Sequence, residues 1–448
     1  MNAVRTVAPA GPRPGARGVP LTAAQTGIWH AQADDPGSPA HNTAECVEIH
    51  GPLDPVLFAE ALHRTIGEAD ALRVRVEETP DGPRQFALAI EPPGHGFPLH
   101  ATDLRDQGDP DAVAGAWMGD DLTRPFDLAG GPLFRHALFQ VGERRWLWYQ
   151  RVHRIVLDGF GYALVARRAA EVYTALAAGR EAGPSPFGRL ADLRAEETAY
   201  RDSDAYDIDR GHWSDAFADR PEAATLTGRT ARPSRTFLRR TARVGAGAAT
   251  GIEALAAAIH ATWPEVVIAT QALYVAHATH RGDIVLGLPM MARAGSAALR
   301  VPATAVNLLP LRVTVTPQTT FAELTLQVTL GIRAARRHQR YRYEDIRRDL
   351  GLADARRALV GPQVNVMPFD YGPEFAGARS EARSLAAGPV DDLTVHVYGR
   401  GDGAGLRIDY DGNPALYEER ELAAHQARFL DLLGRIADSD PHAQPSRP

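Results

Sequence analysis

Apolar residues recur along the chain in two rhythms, one of about 3.6 residues and one of two, that alternate without a fixed order. Asp54 followed by Pro55 reads as a helix N-cap with proline at the first helical position, and Leu57, Phe58, Leu62 and Ile66 then fall on one helical face. Leu72-Arg-Val-Arg-Val76 alternates with the period of a half-buried strand. Leu133–Val141 and Arg145–Val152 predict an extended pair joined at Gly142-Glu143. Helical spacing returns from Tyr162 to Ala177 through Leu164, Val165, Val172 and Leu176, so strand, tight turn and helix meet around residues 153–161.

The stretch Gly183-Pro-Ser-Pro-Phe187 interrupts both rhythms, and a lobe boundary is expected at 183–188. It separates an N-terminal lobe (20–182) from a C-terminal lobe (189–437). The second lobe repeats the scheme with an apolar helical segment at 264–279, strands at Ile284–Leu288 and Leu308–Val315, and a basic helix at 320–340. Strands near 362–369, 392–398 and 405–410 and a helix from Glu418 to Ala437 follow. Residues 1–19, with three prolines, three glycines and three arginines, read as a flexible leader, and 438–448 as a flexible tail or linker. No targeting segment is expected, and no apolar run approaches the ~18 residues of a membrane span. The reading is a soluble, cytoplasmic chain, expected to be a monomer.

Composition removes several chemistries. All 49 basic residues are arginine, so a phosphate-binding loop ending in lysine, a Schiff-base lysine and a lysine base are excluded. Cys46 is the one cysteine, which excludes an internal disulfide and a cysteine-cluster zinc site; composition leaves a metal held by histidine and carboxylate open. A net charge of −6 argues against a nucleic-acid partner. The missing lysines also mark a GC-rich coding sequence.

The informative segment runs from Arg145 to Phe160. It places His153, Arg154, Asp158 and Gly159 at the end of a strand and before a helix, where side chains can face a cleft. Asp158 as a helix cap and Gly159 as a permissive backbone position account for the same residues without any activity.

His153-Arg-Ile-Val-Leu-Asp-Gly159 resembles the HHxxxDG signature of nonribosomal peptide synthetase condensation domains, in the chloramphenicol-acetyltransferase-like superfamily. Five collinear segments extend the resemblance: Leu21–Trp29, Ala71–Arg75, Arg124–Leu128 with Gly131–Arg135, Val306–Arg312 and Arg337–Tyr341. Arg145–Arg151, Gly295–Leu299, Phe369–Tyr371 and Gly388–Leu393 make the likeness closest to the N-terminal condensation domain of enterobactin-synthetase-like siderophore modules. The resemblance implies an α/β fold of two chloramphenicol-acetyltransferase-like lobes in a V, with a tunnel between them. It implies amide formation between a donor acyl thioester and an acceptor aminoacyl thioester. Both would be carried on the phosphopantetheine of partner carrier proteins, with no metal site, no cofactor of the domain's own and an adenylation domain following the C-terminus.

The family's second motif histidine is Arg154 here. A guanidinium stays protonated and has no acceptor lone pair, so Arg154 is no general base. The side chain of His153 is expected to point away from the cleft, because neighbours in an extended segment face opposite ways. Three readings of Arg154 stay open: orienting the acceptor or stabilising the oxyanion in a base-free condensation, marking an inactive carrier-recruiting platform, or closing the tunnel through an ion pair or gripping an anionic substrate group with its bidentate fork. A free-standing acyltransferase with a soluble acceptor is a further alternative. By resemblance, Asp158 pairs with an arginine of the other lobe, for which Arg293 is the candidate, and the Gly159 amide approaches the thioester. Asn307, Tyr162 and Gln25 are candidates for the tunnel wall, each with a structural alternative. The Arg333–Arg348 cluster reads as a solvated basic surface on which an acidic carrier protein could dock.

Overall fold

The computed structural model describes residues 18–88, 99–352, 358–368, 372–399 and 405–443. Most of the expected leader, residues 444–448 of the expected tail, and Phe369–Tyr371 lie outside them. The chain divides into two compact units. The first takes Met1–Arg201, Arg293–Ala305 and Tyr371–Gly388, and the second takes Asp202–Ala292, Val306–Asp370 and Pro389–Pro448. This division differs from the expected one. The 183–188 stretch stays with the first unit, where Arg168 Nη2 donates to Gly183 O at 2.7 Å and Gly188 N to Arg300 O at 2.9 Å. Two segments from the second half of the sequence also return to that unit.

A five-stranded sheet organises the first unit, in the order Arg379–Ala386, Asn42–His50, Arg145–His153, Phe134–Gly142, Leu99–Asp103. Its pairings are antiparallel except the last, which is parallel. Both faces of the central strand are covered. Trp146, Trp148 and Val152 enter the core beneath the helices Pro55–Glu68 and Gly159–Ala177, whereas Leu147 and Tyr149 pack with Ala114 and Met118 of the helix Pro110–Leu122. A two-residue period therefore sorts side chains between two cores rather than between core and water. The Pro55–Glu68 helix starts as its sequence predicts: Asp54 Oδ1 accepts from Val56 N and Leu57 N, and Phe58, Leu62 and Ile66 are buried. The expected strand at 72–76 begins only at Val74, after a short 3-10 turn over Asp70–Arg73, and pairs with Gly82–Ala87. That strand in turn pairs with Val19–Pro20, the described end of the leader.

The second unit is a six-stranded mixed sheet in the order Asn307–Thr314, Asp283–Met290, Gln363–Met367, Leu393–Tyr398, Leu406–Gly412, Leu238–Val244. Helices Ala246–Ala258, Trp263–Thr279, Phe321–Arg337 and Glu419–Ala437 bury its apolar core. The Trp263–Thr279 helix is opened by a Thr262–Glu265 capping box, and every residue from Val266 to Ala276 is buried, which explains its apolar character on all sides. No single helix among the described residues is long and apolar enough to cross a membrane. The first residues of the tail are tied down, since Ala322 N donates to Pro441 O at 2.9 Å.

Candidate functional site

The Arg145–His153 strand ends at a tight turn, and the Gly159–Ala177 helix begins immediately after it. Asp158 is the N-cap residue of that helix. Its Oδ1 accepts from Gly161 N at 3.0 Å and from Arg293 Nη2 at 2.7 Å, and its Oδ2 accepts from Ala305 N at 2.8 Å. One carboxylate thus fixes the helix start and the returning segment Arg293–Ala305 at once. Arg293 is wholly buried. It donates to Ala298 O, to Val301 O at 3.1 Å and to Ala303 O at 2.6 Å, and its guanidinium carbon lies 4.8 Å from the Phe160 ring centre. Arg293 belongs to the same compact unit as Asp158 although it comes from the second half of the sequence, which departs from the expected pairing between lobes.

His153 is buried and both ring nitrogens are engaged. Nδ1 accepts from Ile155 N at 3.2 Å, which places the proton on Nε2, 3.0 Å from Gln32 Oε1. Gln32 is oriented in turn by its amide nitrogen, which donates to the carbonyls of Asp35, Pro36 and Ser38. Burial, with a smaller contribution from His41, pushes the His153 imidazole down to about 3. It stands uncharged at neutral pH with no lone pair to offer.

Arg154 is half-buried beside two residues that the motif itself does not contain. Asn42 pairs with His153 across the sheet, so His41 lies opposite Arg154, and Arg154 N donates to His41 O at 2.8 Å. Burial first, and then the Arg154 charge, hold the His41 imidazole down at about 4. On another side stands Gly388, with φ +112°. A β-carbon there would come within 2.8 Å of Arg154 Nη1 and 3.3 Å of its Cδ. His41 carries no sequence signal that singles it out; Gly388 opens the Gly388–Leu393 segment of the family resemblance without a role of its own there.

The two glycines at the start of this helix differ. Gly159 is exposed, and a β-carbon on it would meet nothing within 4 Å. Gly161 is buried with space for hydrogen alone, since a β-carbon would sit 2.5 Å from Leu157 Cδ1. The helix therefore opens with a bare, accessible position followed by a close-packed one.

The remaining candidates are buried in other bonds. Tyr162 Oη donates to Thr43 O at 2.8 Å, and burial, with the nearby Glu45, raises its phenol well above the ordinary value. Gln25 closes a capping box with Thr22 and exchanges amide hydrogen bonds with Gln85 at 3.1 and 3.2 Å. Asn307, at the start of its strand in the second unit, donates to Gln339 O and Tyr341 O and accepts from Tyr343 N. It thereby pins the 339–343 turn, joining two segments that the sequence reading matched separately. Among the described residues, no group of three or more His, Cys, Asp or Glu is placed to hold a metal ion.

A family profile described as "Condensation domain" matches residues 16–447. The chain is 49% identical over 413 residues to a dimodular nonribosomal peptide synthase of Bacillus subtilis (strain 168), covering 92% of this chain and 17% of that protein. It is 49% identical over 416 residues to an isonitrile lipopeptide synthase of Streptomyces coeruleorubidus, covering 93% and 28%. Identity to enterobactin synthase component F of Escherichia coli O157:H7 is 34% over 432 residues, covering 94% and 32%. The chain thus spans less than a third of each of these relatives. The expected special closeness to enterobactin-type modules gives way to kinship with several synthetase systems. Among solved structures, the first condensation domain of the calcium-dependent antibiotic synthetase, in complex with a substrate analogue, superposes with a TM-score of 0.90 at 35% identity, covering 96% of this chain and 98% of that one. A mutant starter condensation domain of rhizomide synthetase, in complex with C8-CoA and Leu-SNAC, gives 0.88 at 37% identity, covering 96% of both. With a strand-turn-helix motif held by Asp158 and Arg293, and a profile match over nearly its whole length, this chain belongs to the condensation-domain family of nonribosomal peptide synthetases, whose members form amide bonds between carrier-bound thioesters.

Proposed function

We propose that this domain condenses a donor acyl thioester with an acceptor aminoacyl thioester, both on phosphopantetheinyl carrier proteins, without a general base at motif position 154. The observation that carries the reading is the integrity of the turn around the substitution. Asp158 accepts from Gly161 N, Arg293 Nη2 and Ala305 N, His153 is locked uncharged, and Gly159 presents an open helix start.

The acceptor amine attacks the donor carbonyl, the C–N bond forms, the C–S bond breaks, and the released thiol takes up the proton the amine gives through solvent. Tethering both reactants lowers the entropic barrier by several kcal/mol. Arg154 orients the acceptor or donates to the oxyanion, and the Gly159 amide lies on the thioester side. Gln25, Tyr162 and Asn307 brace the scaffold; their polar atoms are engaged within it. A siderophore-type donor is one option the enterobactin likeness supports, and an adenylation domain following in the same synthetase is another feature of this reading.

The test loads donor and acceptor carrier proteins, adds the domain, and follows the condensed product by intact-protein mass spectrometry. Product well above a domain-free control supports condensation. No product, together with retained carrier binding, supports a recruiting platform instead.

A further inference from the structure

Three strand ends converge at Arg154. The Asn42–His50 strand is flanked by Arg145–His153 on one side and Arg379–Ala386 on the other. Its pairing Asn42 with His153 brings His41 beside Arg154, and its pairing Ala44 with Ala386 directs the chain toward Gly388 at the same end of the sheet. The end of the Arg154 side chain lies against the Gly388 α-carbon: a β-carbon there would stand 2.8 Å from Nη1, 3.3 Å from Cδ and 3.7 Å from Cζ. The near atoms belong to the far end of a flexible side chain. A methyl group at 388 would press the guanidinium aside, and at this φ it would also strain the backbone.

We propose that Gly388 is a positioning residue for Arg154: its bare α-carbon is the seat that sets where the guanidinium stands. A compact imidazole at 154 ends well short of a guanidinium and does not need the seat. The coupling between 154 and 388 therefore belongs to the arginine form of the motif. Its kinetic arm rests on the condensation reading; its spectroscopic arm does not.

The reporter is His41, whose carbonyl accepts from Arg154 N, whose imidazole is held down in part by the Arg154 charge, and whose ring centre lies 5.8 Å from that of His153. The experiment titrates His41 by NMR and measures kcat and KM for loaded carriers in the starting protein, Gly388→Ala, Arg154→Ala, Arg154→Ala/Gly388→Ala, Arg154→His and Arg154→His/Gly388→Ala. With Arg154 present, Gly388→Ala should move the His41 titration upward by about half a unit or more, because the cation has swung away. In the Arg154→Ala background it should add nothing. In turnover, Gly388→Ala should lower kcat about tenfold or more with Arg154 present and leave it within about threefold in the Arg154→His background, at unchanged KM, because small misplacements of a positioned group carry large rate costs. The backbone strain of alanine at this positive φ is common to every background and cancels in the comparison. Equal kcat losses with arginine and histidine at 154, or a His41 titration unmoved by Gly388→Ala, would overturn the seat. A starting protein that forms no product while His41 still responds would sink the condensation reading and leave the seat standing.

Discussion

Arg293 Nη2 stands 2.7 Å from Asp158 Oδ1, in a pair whose guanidinium is 0% exposed and whose two partners lie far apart in sequence. The same guanidinium collects the carbonyls of Ala298, Val301 and Ala303. This pair shapes the motif turn from behind while leaving its helix start uncovered.

Arg293→Met should leave a buried carboxylate without its cation and release three carbonyls. A loss of about 3–5 kcal/mol is expected, because removing one partner strands the other charge. Urea denaturation checks it. A loss below about 1 kcal/mol would mean the turn is held by other contacts.

Gly159→Ala and Gly161→Ala separate chemistry from packing. At 159 the new methyl meets open space, so stability should stay within about 0.5 kcal/mol. Condensation should nevertheless fall about tenfold if the thioester passes there. At 161 the methyl collides with Leu157, and a loss of about 1–3 kcal/mol is expected. Paired melting curves and single-turnover rates distinguish the two.

Acid stability should depend on His136, which is buried with neither ring nitrogen bonded and is pushed down to about 3 by burial. The unfolded chain protonates it near 6.5, the folded chain only near 3. The unfolded state therefore holds the extra proton between those values, and stability falls as pH drops through that window. Asp392, raised to about 6 by burial, acts in the opposite sense below that value. His136→Phe should thus flatten the fall by about 1.4 kcal/mol per pH unit between about pH 6 and 4. Denaturation midpoints that track the starting protein at each pH would contradict it.

Much of this was legible in the sequence where local signals sufficed. Asp54-Pro55 set a helix start, the Phe134–His153 region alternated as strands do, and the motif residues fell at the strand-turn-helix junction. The Asn42–His50 strand escaped notice because Asn42, Thr43, Glu45 and Glu48 break any apolar period although the strand is buried. The Arg379–Ala386 strand sits at the sheet edge with alternately exposed arginine and glutamate, so it shows no apolar rhythm, and its partner is set by long-range pairing, Arg379 opposite His50, that no local pattern encodes. The unit boundary was misplaced because prolines and glycines mark breaks in secondary structure, not where contacts end. At the site, residue types pointed to Arg154 and Asp158, whereas His41 and Gly388 came to light only through sheet register.

The central claim is that this site condenses with arginine in the second motif position. The most direct measurement is the rate of product formation from loaded donor and acceptor carriers, compared among the starting protein, Arg154→Ala, Arg154→His and a domain-free control. The account predicts product well above the control for the starting protein and about a tenfold or greater loss in Arg154→Ala. No product from the starting protein with recovery in Arg154→His, or Arg154→Ala condensing as fast as the starting protein, would contradict it.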